Sequence, residues 1–324
     1  MNSHTKKLIN LIAISSLASF ALPTFAEEGT ITEEDIDKAI ERLNTRIEAF
    51  PNEEVDYPRF TRFALDYSIL NGNVNDQRQT DFFGAPFADG SNDSTVTRVS
   101  TNIQFTKNFS GGLSVGMING DSNIQQGTPG NFVSSDSDGK AYSASLRYQI
   151  IDWLAAGAFA GVSNGDGTAV DTGGPPNSGT FKFTGQSQGV YLSATKVITD
   201  QWIYSISPSF THSKSKSKYY NAAAGTETIS NYTLNMWHLD QNISYYSDTY
   251  RARLTGGYTY HNVATETETN SAPRSNSSGT VYVGGSYLVS VSHGVELYGV
   301  ASKEFGDDVY DEASSLTFGI AKNF

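Results

Sequence analysis

From residue 59 onward, one stretch after another places apolar side chains at every second position. After position 26 no apolar run approaches the ~18 residues that a membrane-crossing helix needs. A period of two is the signature of strands with one apolar and one polar face. Residues 59–70 place Phe63, Leu65, Tyr67 and Ile69 on one side and Arg62, Ala64, Asp66 and Ser68 on the other. Residues 95–106 set Val99, Thr101, Ile103 and Phe105 against Arg98, Ser100, Asn102 and Gln104. The same pattern returns at 139–150, 250–262, 279–290 and 314–324, and weaker copies at 112–119, 153–163, 181–197, 202–213, 228–246 and 294–303 bring the predicted strands to twelve.

The connections alternate in length. Short turns fall near 107–111, 151–152, 199–201, 247–249 and 292–294. Polar stretches fall near 71–94, 119–138, 164–180, 214–227, 263–278 and 304–313. A sandwich with Greek-key connections has no reason to alternate in this way. An up-and-down barrel does, with short turns at the periplasmic end and long loops outside. The prediction is therefore an all-β fold: a twelve-stranded antiparallel up-and-down transmembrane β-barrel over 58–324. In hydrocarbon an unpaired backbone N–H or C=O costs several kcal/mol, so the sheet must close. Phe105, Tyr148, Trp153, Trp202, Tyr245, Tyr250 and Phe324 all lie beside short turns or at the chain end, and are expected to form an aromatic girdle where lipid meets water.

Ahead of the strands the pattern differs. Lys6 and Lys7, an apolar stretch over 8–22 and Thr24-Phe25-Ala26 predict a signal peptide over 1–26, hence export. Residues 27–57 form an acidic segment with a predicted short N-terminal α-helix. Thr32 is its N-cap, and Glu33, Glu34 and Asp35 suit the positive end of the helix dipole. Ile36, Ala39, Ile40, Leu43, Ile47 and Phe50 share one face, and Pro51 ends the helix.

The net charge is −12 and there is no basic stripe, which argues against nucleic acid. With no cysteine, disulfides and thiolate chemistry are excluded. No metal-ligand spacing or phosphate-cradling motif is present, so neither metal nor cofactor is expected.

The polar faces should line a lumen. Candidate lumen and selectivity residues are Arg62, Asp66, Arg98, Arg147, Asp240, Arg251, Arg253 and Glu296, with an arginine excess near the periplasmic end. They either brace a narrow barrel or favour anionic solutes. The acidic helix offers a counter-charge: Glu33, Glu34, Asp35, Asp37 and Glu41 could dock on these arginines and plug the pore, or the helix could stand free on the periplasmic face. His238 and Asp240 share a strand face, the best arrangement for hydrolytic chemistry, but no second acidic pair accompanies them. His212-Ser213 point to opposite faces, so no enzyme activity is expected.

The last strand, Ser315 to Phe324, resembles the closing strand of bacterial outer-membrane barrels, a signal read by the barrel-assembly machinery. Twelve strands, a leading helix, this terminus and the segments 295–299 and 304–308 resemble autotransporter translocator domains. About thirty residues separate the predicted cleavage site from strand one, too few for a passenger. Small twelve-stranded porins for acidic oligosaccharides are similar in strand number and arginine-lined lumen. These resemblances imply residence in the outer membrane of a Gram-negative bacterium, in contact with its lipid and lipopolysaccharide. They imply a passive channel for small hydrophilic solutes, anionic ones among them. The alternatives are a translocator-like barrel, or a surface adhesin or receptor acting through its external loops.

Overall fold

The computed structural model describes residues 57–75, 88–126, 132–171, 177–247, 250–267, 271–292, 294–305 and 310–324. The predicted signal peptide and acidic helix lie outside them. The described residues form twelve strands: β1 (Arg59–Asn75), β2 (Ala88–Thr106), β3 (Phe109–Gln126), β4 (Phe132–Ile151), β5 (Leu154–Asp171), β6 (Asn177–Thr199), β7 (Trp202–Asn221), β8 (Thr226–Tyr246), β9 (Tyr250–Thr267), β10 (Ser271–Ser292), β11 (Val295–Phe305) and β12 (Tyr310–Asn323). Each pairs antiparallel with its neighbours in sequence, and β1 pairs with β12, so the sheet is a closed barrel.

Register fixes the tilt. Following paired residues from Asp66 through Arg98, Gly116, Ala141, Ser163, Gly185 and Ser215 arrives at Tyr232 on β8. Leaving Asp66 the other way, through Gly319, Tyr298, Leu288 and Arg251, arrives at Tyr246 of the same strand. That offset along β8 corresponds to strands tilted by about 40° and a backbone radius of roughly 11 Å.

The five short turns stand where the sequence puts them. Both ends of the barrel lie beside them, since Arg59 pairs with Gln104 and Arg62 with Asn323. Four of the strands entering these turns shift register in their last residues, at Gln104/Thr106, Gln149/Ile151, Val197/Thr199 and Ser290/Ser292. Such bulges tighten the local twist ahead of a hairpin. Two turns share a further device. Gln104 Nε2 donates to the carbonyls of Thr106 (2.6 Å) and Lys107 (3.3 Å). Gln149 Nε2 donates in the same way to Ile151 (2.7 Å) and Asp152 (3.2 Å). Pro208 lacks an N–H, and the β6–β7 register skips Leu192 and Ser193 opposite it. Ser207 Oγ donates to Ser193 Oγ there at 3.1 Å.

The external connections differ from the prediction. Much of 119–126, 132–138, 164–171, 177–180 and 214–221, expected as loop, is paired strand. The reason is a change in the alternation itself. In the half nearest the short turns, apolar residues point out: Leu113, Val115 and Met117 on β3, Val190 and Leu192 on β6, Trp237 and Ile243 on β8. In the outer half the same strands turn their apolar residues in. Ile118, Phe181, Phe183, Tyr219, Tyr232, Leu234 and Met236 are all buried. Their outward neighbours are Asn119, Asp121, Lys182, Lys214, Lys216, Lys218 and Thr233. Apolar-out becomes apolar-in, the change expected where the outer solvent passes from lipid to water. Polar outward residues in this half read as loop in the sequence, although the ladder continues through them.

Inward rings of the outer half lie flat over glycines in adjacent strands. Phe183 covers Gly165, where a Cβ would come within 2.4 Å of the ring and 2.3 Å of the Asp138 carbonyl. The glycine supplies the space the ring occupies.

Candidate functional site in the barrel lumen

The wall where the two ends of the sheet meet carries a polar cluster built on Asp66. Asp66 on β1 is 2 % exposed. Its Oδ1 accepts from Arg98 Nε at 2.9 Å and lies 2.8 Å from the same guanidinium's NH2 nitrogen. Its Oδ2 accepts from the Tyr298 hydroxyl at 3.1 Å. Tyr298 belongs to β11, two strands away, with Gly319 of β12 between them in the same row. A Cβ at Gly319 would sit 2.1 Å from the tyrosine ring, so only glycine lets Tyr298 lie along the wall and reach Asp66. The Arg62 guanidinium stands 5.4 Å from the centre of that ring. Ala64, Ala321, Leu288 and Val300 pack around it. A charge-assisted network thus bridges β2, β1 and β11 across the closing seam.

A second cluster spans β8 to β10. His238 Nε2 is 3.0 Å from Asp240 Oδ1, and His238 Nδ1 is hydrogen-bonded to Thr259 Oγ1. The imidazole stacks on Tyr282, with centroids 5.2 Å apart and planes within 5°. One strand further in the same row, Thr280 Oγ1 donates to Glu304. An Asp–His–Thr series has the connectivity of an activated nucleophile, yet Thr259 is only 5 % exposed and is covered by its neighbours.

The remaining predicted lumen charges gather near the short turns. Arg147 donates to Gln149 Oε1 at 2.9 Å. Arg251 lies 5.6 Å from the centre of the Tyr246 ring. Arg253 Nε donates to Ser244 Oγ at 3.2 Å. Glu296 is in register with Ser290 and Ala321. Among the described residues, Arg147 and Arg251 have no carboxylate partner, unlike Arg98. Among the same residues no cluster of three or more His, Asp or Glu could hold a metal ion.

The girdle candidates stand on the outer wall at the short-turn end. Trp202 contacts Tyr245 edge-on at 5.1 Å, Tyr245 contacts Tyr250 at 5.7 Å, and Tyr250 stacks on Tyr287 at 5.6 Å, a chain of rings across β7 to β10. Phe105 packs on Phe109 at 5.3 Å. Tyr148 pairs in register with Phe109. Trp153 and Phe324 are exposed and, among the described residues, join no such chain. The plug candidates Glu33, Glu34, Asp35, Asp37 and Glu41 lie outside the described residues.

Sequence reasoning placed Asp66, Arg98 and Asp240 in the lumen but missed what holds them. Tyr298 and Tyr282 are apolar-looking members of polar rows, and their partners are two strands away. The one sequence signal available was the glycine in the intervening strand, at 319 and 257, which leaves room for a ring.

A closed antiparallel barrel with an apolar outer belt, aromatic rings at one rim and charged residues inside is an outer-membrane β-barrel of the Gram-negative kind. No protein-family model matches the chain, and no curated protein does. Solved structures do match. The translocator domain of the autotransporter NalP from Neisseria meningitidis superposes with a TM-score of 0.60 at 13 % identity, covering 92 % of this chain and 100 % of that one. The transport unit of the autotransporter AIDA-I from Escherichia coli gives 0.59 at 11 % identity, over 88 % and 97 % of the two chains. The β domain of the Bordetella autotransporter BrkA gives 0.56 at 11 %, over 82 % and 99 %. At these identities the likeness is one of fold.

Proposed function

We propose that this barrel is a passive outer-membrane channel for small hydrophilic solutes, with a preference for anions. The carrying observation is the charge balance of the lumen near the short turns. Arg62, Arg147, Arg251 and Arg253 stand within a few residues of that rim, where Glu296 is their acidic counterpart. Asp66 is already engaged by Arg98 and Tyr298, so it subtracts little from this field. A backbone radius of roughly 11 Å, with inward rings lying along the wall over glycines, leaves a lumen wide enough for hydrated small solutes. It is also wide enough for one helix, about 10–12 Å across with its side chains. The acidic segment 27–57 therefore fits the reading of a plug docked on the arginines. We read the His238 pair as bracing of the wall.

Bilayer conductance of the refolded protein under a salt gradient tests this. The reversal potential should report anion selectivity. Changing Arg147, Arg251 and Arg253 together to Gln should move it toward the cation side. A cation-selective parent protein would refute the reading. Deleting residues 27–56 should raise single-channel conductance; no change would refute the plug.

A second reading, an autotransporter-type translocator, is favoured by the three structures above. An epitope fused ahead of residue 27 would appear on the cell surface under it and stay periplasmic under the channel reading.

A further inference from the structure

The outer half of β6 and β7 carries an outward ridge of lysines. Lys214, Lys216 and Lys218 alternate along β7, all exposed, and Lys182 of β6 lies directly opposite Lys218. Like charges placed directly opposite across a ladder are destabilising unless an anion sits between them. The acidic groups facing the ridge are few. Glu227 lies 3.8 Å from Lys218, and Asp166 on β5 is in register with Lys182. Among the described residues, Lys214 and Lys216 have no ion-pair partner. Their register neighbours are Gln186, Thr184, Thr233 and Asn231, neutral groups that can donate hydrogen bonds.

The height of the ridge selects its partner. On β7 the lipid-facing series Tyr204, Ile206, Pro208 and Phe210 gives way to His212 and then to Lys214. On β8 the outward series Leu239 and Trp237 gives way to Asn235, Thr233 and Asn231, and Met236 beside Trp237 already points in and is buried. The alternation therefore inverts between Phe210 and Lys214. At about 3.3 Å per residue and about 40° of tilt, Lys214 to Lys218 occupy roughly the first 15 Å above the apolar belt. In the outer leaflet of a Gram-negative outer membrane that layer holds the phosphorylated sugars of lipopolysaccharide. We propose that Lys182, Lys214, Lys216 and Lys218 form a binding ridge for the lipopolysaccharide phosphates. Ammonium groups neutralise the phosphates, and the flanking amides and hydroxyls take the sugar oxygens. The inference rests on the membrane placement of the barrel and not on its conductance.

The test uses the refolded protein in nanodiscs, titrated with lipopolysaccharide and with its enzymatically dephosphorylated form, and read by native mass spectrometry. Each lysine near an anionic surface contributes enough that losing three should weaken binding by about a hundredfold. Changing Lys214, Lys216 and Lys218 to Gln should therefore give that loss. The same three changed to Arg should retain binding, and Lys107→Gln, in a short turn, should have no effect. Dephosphorylated lipid should bind the parent protein as weakly as intact lipopolysaccharide binds the Gln variant. Equal binding of both lipids to the parent protein would overturn the proposal, and that comparison needs no variant to fold. So would cross-linked dimers that vanish in the Gln variant while lipopolysaccharide affinity stays, since the occupant would then be a second copy of this chain.

Discussion

The seam between β1 and β12 gives the most direct energetic test, because one buried carboxylate links side chains across it in addition to the backbone ladder. Asp66→Ala leaves the Arg98 guanidinium and the Tyr298 hydroxyl without their common acceptor. Breaking a buried ion pair by removing one partner costs about 3–5 kcal/mol. The Arg98 side chain is 22 % exposed and recovers some hydration from the lumen, so about 3 kcal/mol is expected for Asp66→Ala. Arg98→Met should cost more, about 4 kcal/mol, because the Asp66 side chain is 1 % exposed and has no such recourse. Tyr298→Phe deletes one hydrogen bond to a charged acceptor and should cost about 1.5 kcal/mol. Combining Asp66→Ala with Arg98→Met removes both charges, and should cost well under the sum of the two single changes, with a coupling of about 3 kcal/mol. Urea titration of the protein in lipid vesicles, followed by tryptophan fluorescence, measures all four. Single changes below about 0.5 kcal/mol, or a double variant whose cost is additive, would refute the view that this network clamps the seam.

Three other expectations follow from the same geometry. Gly165→Ala forces a methyl against the Asp138 carbonyl at 2.3 Å and the Phe183 ring, and overpacking of this kind should lower stability by about 1–3 kcal/mol in the same titration. Trp202→Ala removes the first member of the ring chain and should cost about 0.5–1.5 kcal/mol beyond its lost area; equal stability in bilayer and detergent would show that the rings do not read the lipid interface. Asp66→Ala should also release Arg98 into the lumen and shift the reversal potential further toward anions. A shift toward cations would mean that Asp66 does not neutralise Arg98.

How far the sequence reaches depends on which solvent faces the outer wall. In the lower half, lipid outside and polar lumen inside impose one alternation, so Phe63, Leu65 and Tyr67 declare their face and the strand with it. The short turns are legible for the same reason, since Lys107-Asn108 and Asp200-Gln201 interrupt strong patterns. In the outer half the alternation reverses. The runs around Asn119, Asp166 and Lys214 lose their outward apolar members and resemble loops, although Ile118, Phe183 and Leu234 continue the period on the inner face. The candidate charges were legible as inward residues by parity alone. Their pairing was not, because Asp66 meets Tyr298 across an intervening strand, and only the closure of the barrel fixes that distance.

The reversal also fixes the vertical position of the barrel. Sliding it inward by two residues would carry Lys214 to the edge of the hydrocarbon, where a lysine begins to cost free energy that rises to about 2–4 kcal/mol at the midplane. Sliding it outward would lift Trp237, Met117 and Val162 into water and expose apolar area worth roughly 25 cal/mol per Å². Both displacements are opposed, the first by the lysine ridge and the second by the belt. Replacing Lys214, Lys216 and Lys218 with Leu removes the first restraint. It extends the outward apolar face of β7 from Phe210 beyond the present edge of the belt. The barrel should then sit deeper, and a cysteine probe placed at Thr233 should become protected from a water-soluble maleimide. Unchanged labelling at Thr233 would show that the height is set elsewhere in the wall.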